Sequence, residues 1–439
     1  MRSLPPSLAG SRVCVIGAGA AGLSATRHLV EAGADVVTIE RSDKVGGLWN
    51  DGYDSLHLIT AKNLCSFRDF DLPDDYPMFP HRDQIVWYFN EFADHFDLRK
   101  RIEFGTSVTA VRPLGDAGLG GWEVETSDGL VREFDAVVVA NGHLAEPVTP
   151  TFAGTFTGRE LHVSDYKNAD SFDGDRVLVI GAGNSGCDIA VDAAQARLDV
   201  SICIRQGIIF QPKTLLGRGR TELLPAFVPP TIVERVTRAA VHFVLGDNTA
   251  YPGLPATTEK NLFKGASVIN TQLLHWLHHG RLRVVPGITE LAGRTVRFED
   301  GTEREFDTIV YATGYKYTFP FLNPALFEWN GDKPVRHGAA TLLPGWANLY
   351  MMGLVGPTGA QWPAYDDQAE IVLRVMDLQQ RSSEPVVDAI ARLEKPWREV
   401  NMPRHIWTKR LNVFRALLGR LERNTQSAPA RAKRSSIPA

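Results

Sequence analysis

The chain has 439 residues, enough for two or three domains of ordinary size. Apolar residues make up 44% and charged residues 22%, as in an ordinary soluble globular protein. The formal net charge of -4 argues against nucleic acid or an anionic membrane as a partner, and no apolar run approaches the roughly 20 residues that span a bilayer.

The cysteines and the first residues bear on the cellular compartment. The start, MRSLPPSLAG, lacks the apolar stretch of a secretory signal. The four cysteines lie far apart and form no C-x-x-C pair, so the redox motif of a disulfide reductase is absent from the sequence. We therefore expect a cytoplasmic protein with reduced cysteines and no integral membrane segment.

The first motif in chain order is a glycine-rich turn between a strand and a helix, in RVCVIGAGAAGLSATRHLVEAGADVVTIER at 12–41. In such a turn Gly17 permits the tight bend, Gly19 lets a pyrophosphate approach the backbone, and Gly22 lets helix and strand pack closely. Glu40 ends the second strand, where a carboxylate accepts hydrogen bonds from a ribose diol. The segment predicts a Rossmann-like dinucleotide-binding domain.

The same pattern returns in RVLVIGAGNSGCDIAVDAAQARLDVSICIR at 176–205, with glycines at 181, 183 and 186. Here Arg205 stands at the end of the second strand, in place of an acid. A guanidinium pairs with a 2′-phosphate, which a carboxylate would repel. The second site therefore favours NADPH over NADH.

Each glycine turn is followed by a similar hairpin. SDGLVREFDAVVVANG at 127–142 matches EDGTEREFDTIVYATG at 299–314, and Asp-Gly between alternating strands is a good turn signal. We expect an α/β fold with two Rossmann-like domains, in which the NADPH domain is inserted into the FAD domain. The expected boundaries are 1–168 and 307–423 for the FAD domain, 169–306 for the NADPH domain with an inserted helical segment near 214–260, and 424–439 for a disordered tail.

Between the two turns lies FTGRELHVSDY, whose spacing matches the sequence that marks flavin-containing monooxygenases. The matching residues are Phe156, Gly158, His162 and Tyr166. The chain resembles this family from about residue 10 to 375, through GGLW at 46–49, ANGH at 140–143, GNSG at 183–186 and ATGY at 312–315. In the family the marker segment sets how the NADPH domain faces the flavin, so the resemblance gives His162 a positioning role.

The resemblance implies the cofactors FAD and NADPH, and O2 and a small molecule as substrates. In the family, reduced flavin and O2 give a C4a-(hydro)peroxyflavin, which passes one oxygen atom to a nucleophilic nitrogen or sulfur. A Baeyer–Villiger oxidation of a ketone or an oxidative decarboxylation of a 2-oxo acid by the same intermediate stays open. Type I Baeyer–Villiger enzymes, however, carry Trp where this chain has Tyr166. An NADPH oxidase or a redox sensor without oxygenation also stays open.

The resemblance also assigns residues to the cofactors. The FAD contacts would be Gly17, Gly19, Ala21, Gly22, Glu40, Gly47, Leu48, Trp49, Val108 and Gln368. The NADPH contacts would be Gly183, Asn184, Ser185, Gly186, Arg205 and, as a weaker second phosphate partner, Lys213.

One departure from the family concerns the reacting centre. Many members carry an Asn in L-x-T-N-x-x-K that holds NADP+ and the oxygenated flavin in place. This chain reads LITAKN at 58–63, which puts Ile59 at the Asn position. Thr60 or His57 could supply another donor, and the candidate catalytic residues are Thr60, Lys62 and Asn63.

The histidines of TQLLHWLHHGRL at 271–282 have helical spacing but no cysteine or carboxylate ligands beside them. We therefore expect no metal site. A homodimer is left open by the sequence.

Overall fold

The computed structural model of the chain describes residues 8–144, 146–220, 228–257, 267–359 and 361–426. The helices are α1 (Ala20–Glu31), α2 (Leu48–Asp51), α3 (Arg82–His95), α4 (Asn184–Gln195), α5 (Pro230–Leu245), α6 (Gln272–His278), α7 (Gln361–Gln379), α8 (Val386–Ala391) and α9 (Arg404–Gln426). The strands up to the second glycine turn are β1 (Arg12–Ile16), β2 (Asp35–Ile39), β3 (Ile102–Glu103), β4 (Val108–Pro113), β5 (Trp122–Thr126), β6 (Val131–Phe134), β7 (Ala136–Val139), β8 (Glu146–Pro147), β9 (Ala153–Phe156), β10 (Arg159–His162) and β11 (Arg176–Ile180).

The later strands are mostly short. They are β12 (Asp199–Cys203), β13 (Ile209–Phe210), β14 (Thr214–Leu215), β15 (Arg218–Gly219), β16 (Ser267–Val268), β17 (Leu282–Val285), β18 (Ile288–Gly293), β19 (Thr295–Phe298), β20 (Glu303–Glu305), β21 (Thr308–Tyr311), β22 (Tyr315–Lys316), β23 (Trp329–Asn330), β24 (Lys333–Pro334), β25 (Leu349–Met351), β26 (Gly356–Pro357) and β27 (Asn401–Met402).

The first domain is built on a parallel sheet with the strand order β25-β7-β1-β2-β3. Strands β1 and β7 are apolar and buried along almost their whole length, as expected for parallel strands covered on both faces. Helices α1 and α7 pack together on one face. The antiparallel sheet β4-β5-β6 packs on the other face through Trp122, Val124 and Phe134.

The second domain repeats this plan. Its parallel sheet has the order β10-β21-β11-β12-β17, with α4 and α6 on one face. The sheet β20-β19-β18-β9 covers the other face, where Phe298 and Phe306 pack on Leu178 and Ile309. The two predicted hairpins are the pairs β5-β6 and β19-β20, and each leads into a central parallel strand. The expected arrangement of two Rossmann-like domains is confirmed.

The predicted boundaries of the second domain need correction. Strand β10 pairs in parallel with β21, and β9 pairs with β18, so this domain includes strands on both sides of 169–306. Neither β9 nor β10 is a hydrophobic run, and their partner strands lie far ahead in the chain. The sequence therefore does not show these pairings. The marker segment is thus part of the second sheet and its cover.

The other predicted segments can be placed in part. Helix α5 lies inside the expected insertion of 214–260. Helix α9 runs to Gln426, so the first residues of the expected disordered tail are helical, and the rest of that tail lies outside the described residues. Among the helices that the structure describes, none is both long and apolar enough to cross a bilayer.

The glycines of the second turn provide a test of this packing. A Cβ at Gly186 would overlap the carbonyl oxygen of Gly181, whereas a Cβ at Gly183 would meet no atom within 4 Å. We expect Gly186→Ala to lower the stability of the second domain by about 3 kcal/mol, the upper end of the usual cost of overpacking. Gly183→Ala should leave the melting temperature within a few degrees of wild type. Equal melting temperatures for both variants in a thermal scan would contradict the packing role of Gly186.

Candidate functional site

The first glycine turn has the shape of a cradle for a pyrophosphate. Gly17 has a φ of +101°, and a Cβ at Gly22 would overlap the Gly17 carbonyl oxygen. A Cβ at Gly19 would meet only the Cα of Gly47, 3.8 Å away. No side chain caps α1, so its first N–H groups are free to bind an anion. Glycines at 19 and 47 thus let the two backbones come into contact, and the free N–H groups at the start of α1 fit the pyrophosphate of FAD.

Glu40 is held in position for a ribose. One carboxylate oxygen accepts a hydrogen bond of 2.7 Å from the backbone N–H of Ala18, and the other accepts one of 2.9 Å from Ser42. A carboxylate offers about four acceptor positions, so two remain for the ribose diol. The N–H of Thr106 donates to the carbonyl oxygen of Glu40 at 3.0 Å, which brings the start of β4 at Val108 beside this site. These contacts fit the predicted roles of Glu40 and Val108.

The segment after Gly47 also matches its predicted place. Leu48 begins α2 and is 46% exposed, so its side chain is accessible beside the glycine turn. Trp49 packs edge-on against Trp362, with ring centroids 6.4 Å apart. This contact joins the segment to the beginning of α7. Ala21, on α1, is buried beneath the same turn.

Gln368 is predicted to contact the cofactor, and the structure places its side chain in the core. Its side chain is fully buried, with 0% exposure. The amide oxygen accepts a hydrogen bond of 3.1 Å from the N–H of Gly353, and the amide nitrogen donates one of 3.0 Å to Ala339. A buried amide needs partners of this kind, and here the backbone supplies them. Gln368 thus supports the loop that follows β25 from within the core.

Lys62, a candidate catalytic residue, is also bonded to the backbone of its own protein. Its ammonium group donates to the carbonyl oxygens of Pro73, Asp74 and Tyr76 at 2.8, 2.6 and 2.8 Å. An ammonium has three N–H donors, so all three are used. Lys62 therefore fixes the loop at 73–76 and has no donor left for a reacting group.

The two other candidate catalytic residues lie on either side of Lys62. Thr60 and Ile59 are half-buried, while Asn63 is exposed in a short 3-10 helix. The structure therefore leaves Thr60 with a partly accessible hydroxyl and gives Asn63 a surface position.

The second glycine turn is open at Gly183 and fits the NADPH pyrophosphate as the first turn fits that of FAD. Asn184 begins α4, and its side-chain oxygen accepts a hydrogen bond of 2.9 Å from the N–H of Ile269. Arg205 is exposed just beyond β12, and among the described residues no carboxylate pairs with it. An unpaired guanidinium at this position fits the predicted binding of a 2′-phosphate.

The marker segment connects the strands of the second domain. Phe156 ends β9 and is buried against the second sheet. A Cβ at Gly158 would overlap both the ring of Phe156 and the carbonyl oxygen of Asp307. Glycine is therefore required where β9 turns into β10.

His162 links the end of β10 to the loop after β21. Its Nδ1 accepts a hydrogen bond of 3.2 Å from the N–H of Ser164, and its Nε2 donates to the carbonyl oxygen of Gly314 at 3.3 Å. This pattern requires a neutral imidazole, and burial lowers the pKa of His162 accordingly. The ring also packs edge-on against Tyr315 at 5.0 Å. These contacts support a positioning role for His162.

Tyr166 belongs to a polar interface between the domains. Its hydroxyl donates to Asp192 at 3.2 Å, and the hydroxyl of Ser55 donates to the same carboxylate oxygen at 2.6 Å. One turn earlier on α4, Asp188 accepts hydrogen bonds from Tyr53 at 2.9 Å and from Asn270 at 2.8 Å. The hydroxyl of Tyr53 also interacts with Ser185, which places that predicted NADPH contact at the interface. Burial raises the pKa of both aspartates.

His57 and Lys213 form a further contact between the domains, which was not predicted from the sequence. His57 donates from Nδ1 to the carbonyl oxygen of Ser55 at 2.7 Å, which leaves Nε2 as an acceptor, and Lys213 donates to that nitrogen. No sequence signal could have found this pair, because the two residues are 156 positions apart. They border a cavity of about 340 Å³, here called the interdomain cavity, lined by Ser55, His57, Asp188, Val191, Asp192, Gln195, Lys213 and Gln272.

In the described part of the chain, the cysteines form no disulfide and the histidines form no metal site. There the four cysteines are buried free thiols, and no three His, Cys, Asp or Glu side chains are grouped to hold a metal ion.

Comparison with known proteins gives consistent matches. The family model for flavin-binding monooxygenase-like proteins matches residues 10–395. Indole-3-pyruvate monooxygenase YUCCA1 of Oryza sativa subsp. japonica is 34% identical over 317 residues, covering 70% of this chain and 77% of that protein. Dimethylaniline monooxygenase [N-oxide-forming] 2 of Rattus norvegicus is 33% identical over 395 residues, covering 83% of this chain and 73% of that protein.

A solved structure extends the match to three dimensions. The NADP+-bound cyclohexanone monooxygenase of Rhodococcus sp. Phi1 has a TM-score of 0.71 and covers 97% of this chain and 99% of its own. Its sequence is 19% identical, so this likeness shows the shared fold alone.

The contacts of Lys62 lead to a test of its structural role. Replacing Lys62 by Met leaves three carbonyl groups without their donor, and we expect a loss of about 3 kcal/mol in stability. Lys316→Met is the control, because that lysine is 62% exposed and lies 3.9 Å from its acidic partner. The control should melt like wild type. A Lys62→Met protein that melts normally but no longer oxidises NADPH would restore a catalytic role to this residue.

The position of Arg205 predicts the coenzyme preference. Arg205→Gln should raise the KM for NADPH about tenfold or more and leave that for NADH unchanged, since a charge-assisted bond to phosphate is lost, worth roughly 1.5–3 kcal/mol. Arg197→Gln, an exposed arginine just after the other end of α4, serves as the control. Steady-state kinetics with both coenzymes provide the measurement. Equal changes for NADPH and NADH would show that Arg205 does not read the phosphate.

Proposed function

We propose that this chain, which belongs to the flavin-binding monooxygenase-like family, transfers one atom of O2 to a nucleophilic nitrogen or sulfur atom of a small molecule. It is an FAD-dependent enzyme that oxidises NADPH. The overall reaction consumes NADPH, a proton and O2, and yields NADP+, water and the oxygenated substrate. What we propose is the acceptor of the oxygen atom, a nitrogen or a sulfur.

The observation that carries the proposal is the pair of open glycine turns in one chain. One turn lies beside Glu40, which fits the ribose of FAD, and the other leads to Arg205, which fits the phosphate of NADPH. Both turns are attached to one polar interface through Tyr53 and Asp188. The protein can thus hold two dinucleotides in a constant relation, as electron transfer from one to the other requires.

FAD, when bound and reduced by NADPH, supplies the electrons that activate O2. The chain's own residues bind and orient the two dinucleotides. His162 donates a hydrogen bond from Nε2 to the carbonyl oxygen of Gly314 and so holds the loop after β21, while the bond that its Nδ1 accepts from the N–H of Ser164 requires a neutral ring. The hydroxyl groups of Tyr53 and Ser55, bound to Asp188 and Asp192, hold the two domains together beside the interdomain cavity.

The 2-oxo acid route is a second candidate function. Its product would form by attack at the carbonyl carbon, with loss of CO2. Two observations favour it: Ile59 stands where many relatives of the amine-oxidising type carry Asn, and the rice relative is named for indole-3-pyruvate, a 2-oxo acid.

Product analysis distinguishes these functions. Purified protein loaded with FAD is incubated with NADPH and O2 and with one of four compounds: methyl phenyl sulfide, N,N-dimethylaniline, cyclohexanone or phenylpyruvate. We expect sulfoxide or N-oxide in amounts close to the NADPH consumed, with little hydrogen peroxide. Phenylacetate formed from phenylpyruvate in the presence of catalase, which removes free peroxide, and without sulfoxide would establish the second candidate, and lactone from cyclohexanone a Baeyer–Villiger reaction. Peroxide equal to NADPH with every compound would refute oxygen transfer altogether.

A further inference from the structure

We infer that helix α5 is a docking surface through which the enzyme binds the surface of an anionic lipid membrane. This surface combines exposed arginines with an apolar stripe, which consists of Ile232, Val236, Ala239 and Phe243. The inference goes beyond the proposed function, because it concerns where the enzyme binds in the cell and does not depend on which atom receives oxygen.

The apolar stripe runs along the outer side of α5. Its four residues are spaced by four, three and four positions, which places them on one side of an α-helix. Ile232 and Val236 are 47% and 40% exposed, and Phe243 is 91% exposed. Thr237 and Val241, on the opposite side of the helix, are buried. A surface helix of a globular protein normally turns its apolar stripe towards the core, so this outward stripe indicates a binding surface.

Positive charge lies beside the stripe. Arg235 and Arg238 are exposed, and their positions in the helix place both of them along one edge of the stripe. No acidic side chain pairs with Arg235 in the part of the chain that the structure describes. Glu234 lies on the opposite side of the helix and is half-buried. The side of α5 that faces solvent is therefore both apolar and basic.

The surrounding segment has the same character. Helix α5 belongs to the insertion, residues 211–266, which lies between the paired strands β13 and β16. The insertion has seven Lys or Arg and four Asp or Glu, whereas the whole chain has a net charge of -4. The basic residues are thus concentrated in one segment of an acidic protein. The net charge of the chain, which argues against an anionic partner, does not describe this surface.

A lipid membrane fits these features better than a second copy of the chain does. A stable protein interface takes roughly 20–30 residues on each side, far more than the stripe supplies. Two copies would also bring the same basic surface together, and like charges repel across an interface. An anionic bilayer meets both needs at once: its acyl chains take up the apolar side chains, and its phosphate groups attract the arginines.

The test measures binding of the full-length, FAD-loaded protein to sedimenting vesicles, without NADPH and without turnover. One set of vesicles is phosphatidylcholine alone, and the other contains equal amounts of phosphatidylcholine and phosphatidylserine. We expect wild type to bind the anionic vesicles at low ionic strength, and the neutral vesicles at least fivefold more weakly, since each arginine near an anionic surface contributes about fivefold. Added salt should weaken the binding to anionic vesicles.

Two variants of α5 separate the apolar from the electrostatic contribution. Phe243→Ser should weaken the binding to anionic vesicles about tenfold or more, since one large apolar side chain no longer enters the bilayer. Arg235→Gln should weaken it about fivefold and leave the binding to neutral vesicles unchanged. Leu393→Ser is the matched control, because Leu393 is 60% exposed and lies outside the insertion. Since all three side chains are exposed, each variant should melt and oxidise NADPH like wild type.

The other outcomes each overturn the inference. If wild type does not bind the anionic vesicles, or binds neutral vesicles equally well, α5 does not recognise an anionic membrane. An equal loss of binding in Phe243→Ser and Leu393→Ser would show unspecific adhesion through any exposed apolar residue. A dimer in sedimentation velocity that Phe243→Ser dissociates, with no vesicle binding by wild type, would assign the stripe to a second copy of the chain.

Discussion

The structure depends on the polar interface that α4 makes with the first domain. Asp188 and Asp192 lie one helical turn apart, and they receive the hydroxyl groups of Tyr53, Ser55 and Tyr166. Partly buried carboxylates are costly unless such donors satisfy them, so these bonds admit few relative positions of the two domains. Because α4 begins at the second glycine turn, the same interface also sets where that turn lies relative to the first domain.

The two domains differ in chemistry far more than in shape. Each has a parallel sheet, a glycine turn leading into a helix, and an antiparallel sheet that covers the opposite face. We expect the difference in cofactor to arise at the end of the second strand, where one domain has Glu40 and the other Arg205. The interdomain cavity is lined by residues of both domains, so it exists only where the two domains pack together.

Lys62 and Gln368 show what a motif leaves out. Lys62 and Gln368 are polar residues in segments that resemble cofactor-binding regions, yet each satisfies backbone groups of its own protein. A motif states which residue types recur at a given spacing. It does not state whether a neighbouring loop has carbonyl groups that need a donor, as the loop at 73–76 does for Lys62.

The sequence by itself determined the two dinucleotide turns and the insertion of one domain in the other, and it predicts a preference for NADPH. These are local properties: a glycine that must lack a Cβ, a charge at a strand end, and the period of apolar residues. Only the tertiary structure decided that β10 joins the second sheet, and that His57 meets Lys213 across the domains, 156 residues apart. Such contacts arise from the packing of whole sheets and helices, which no short segment encodes.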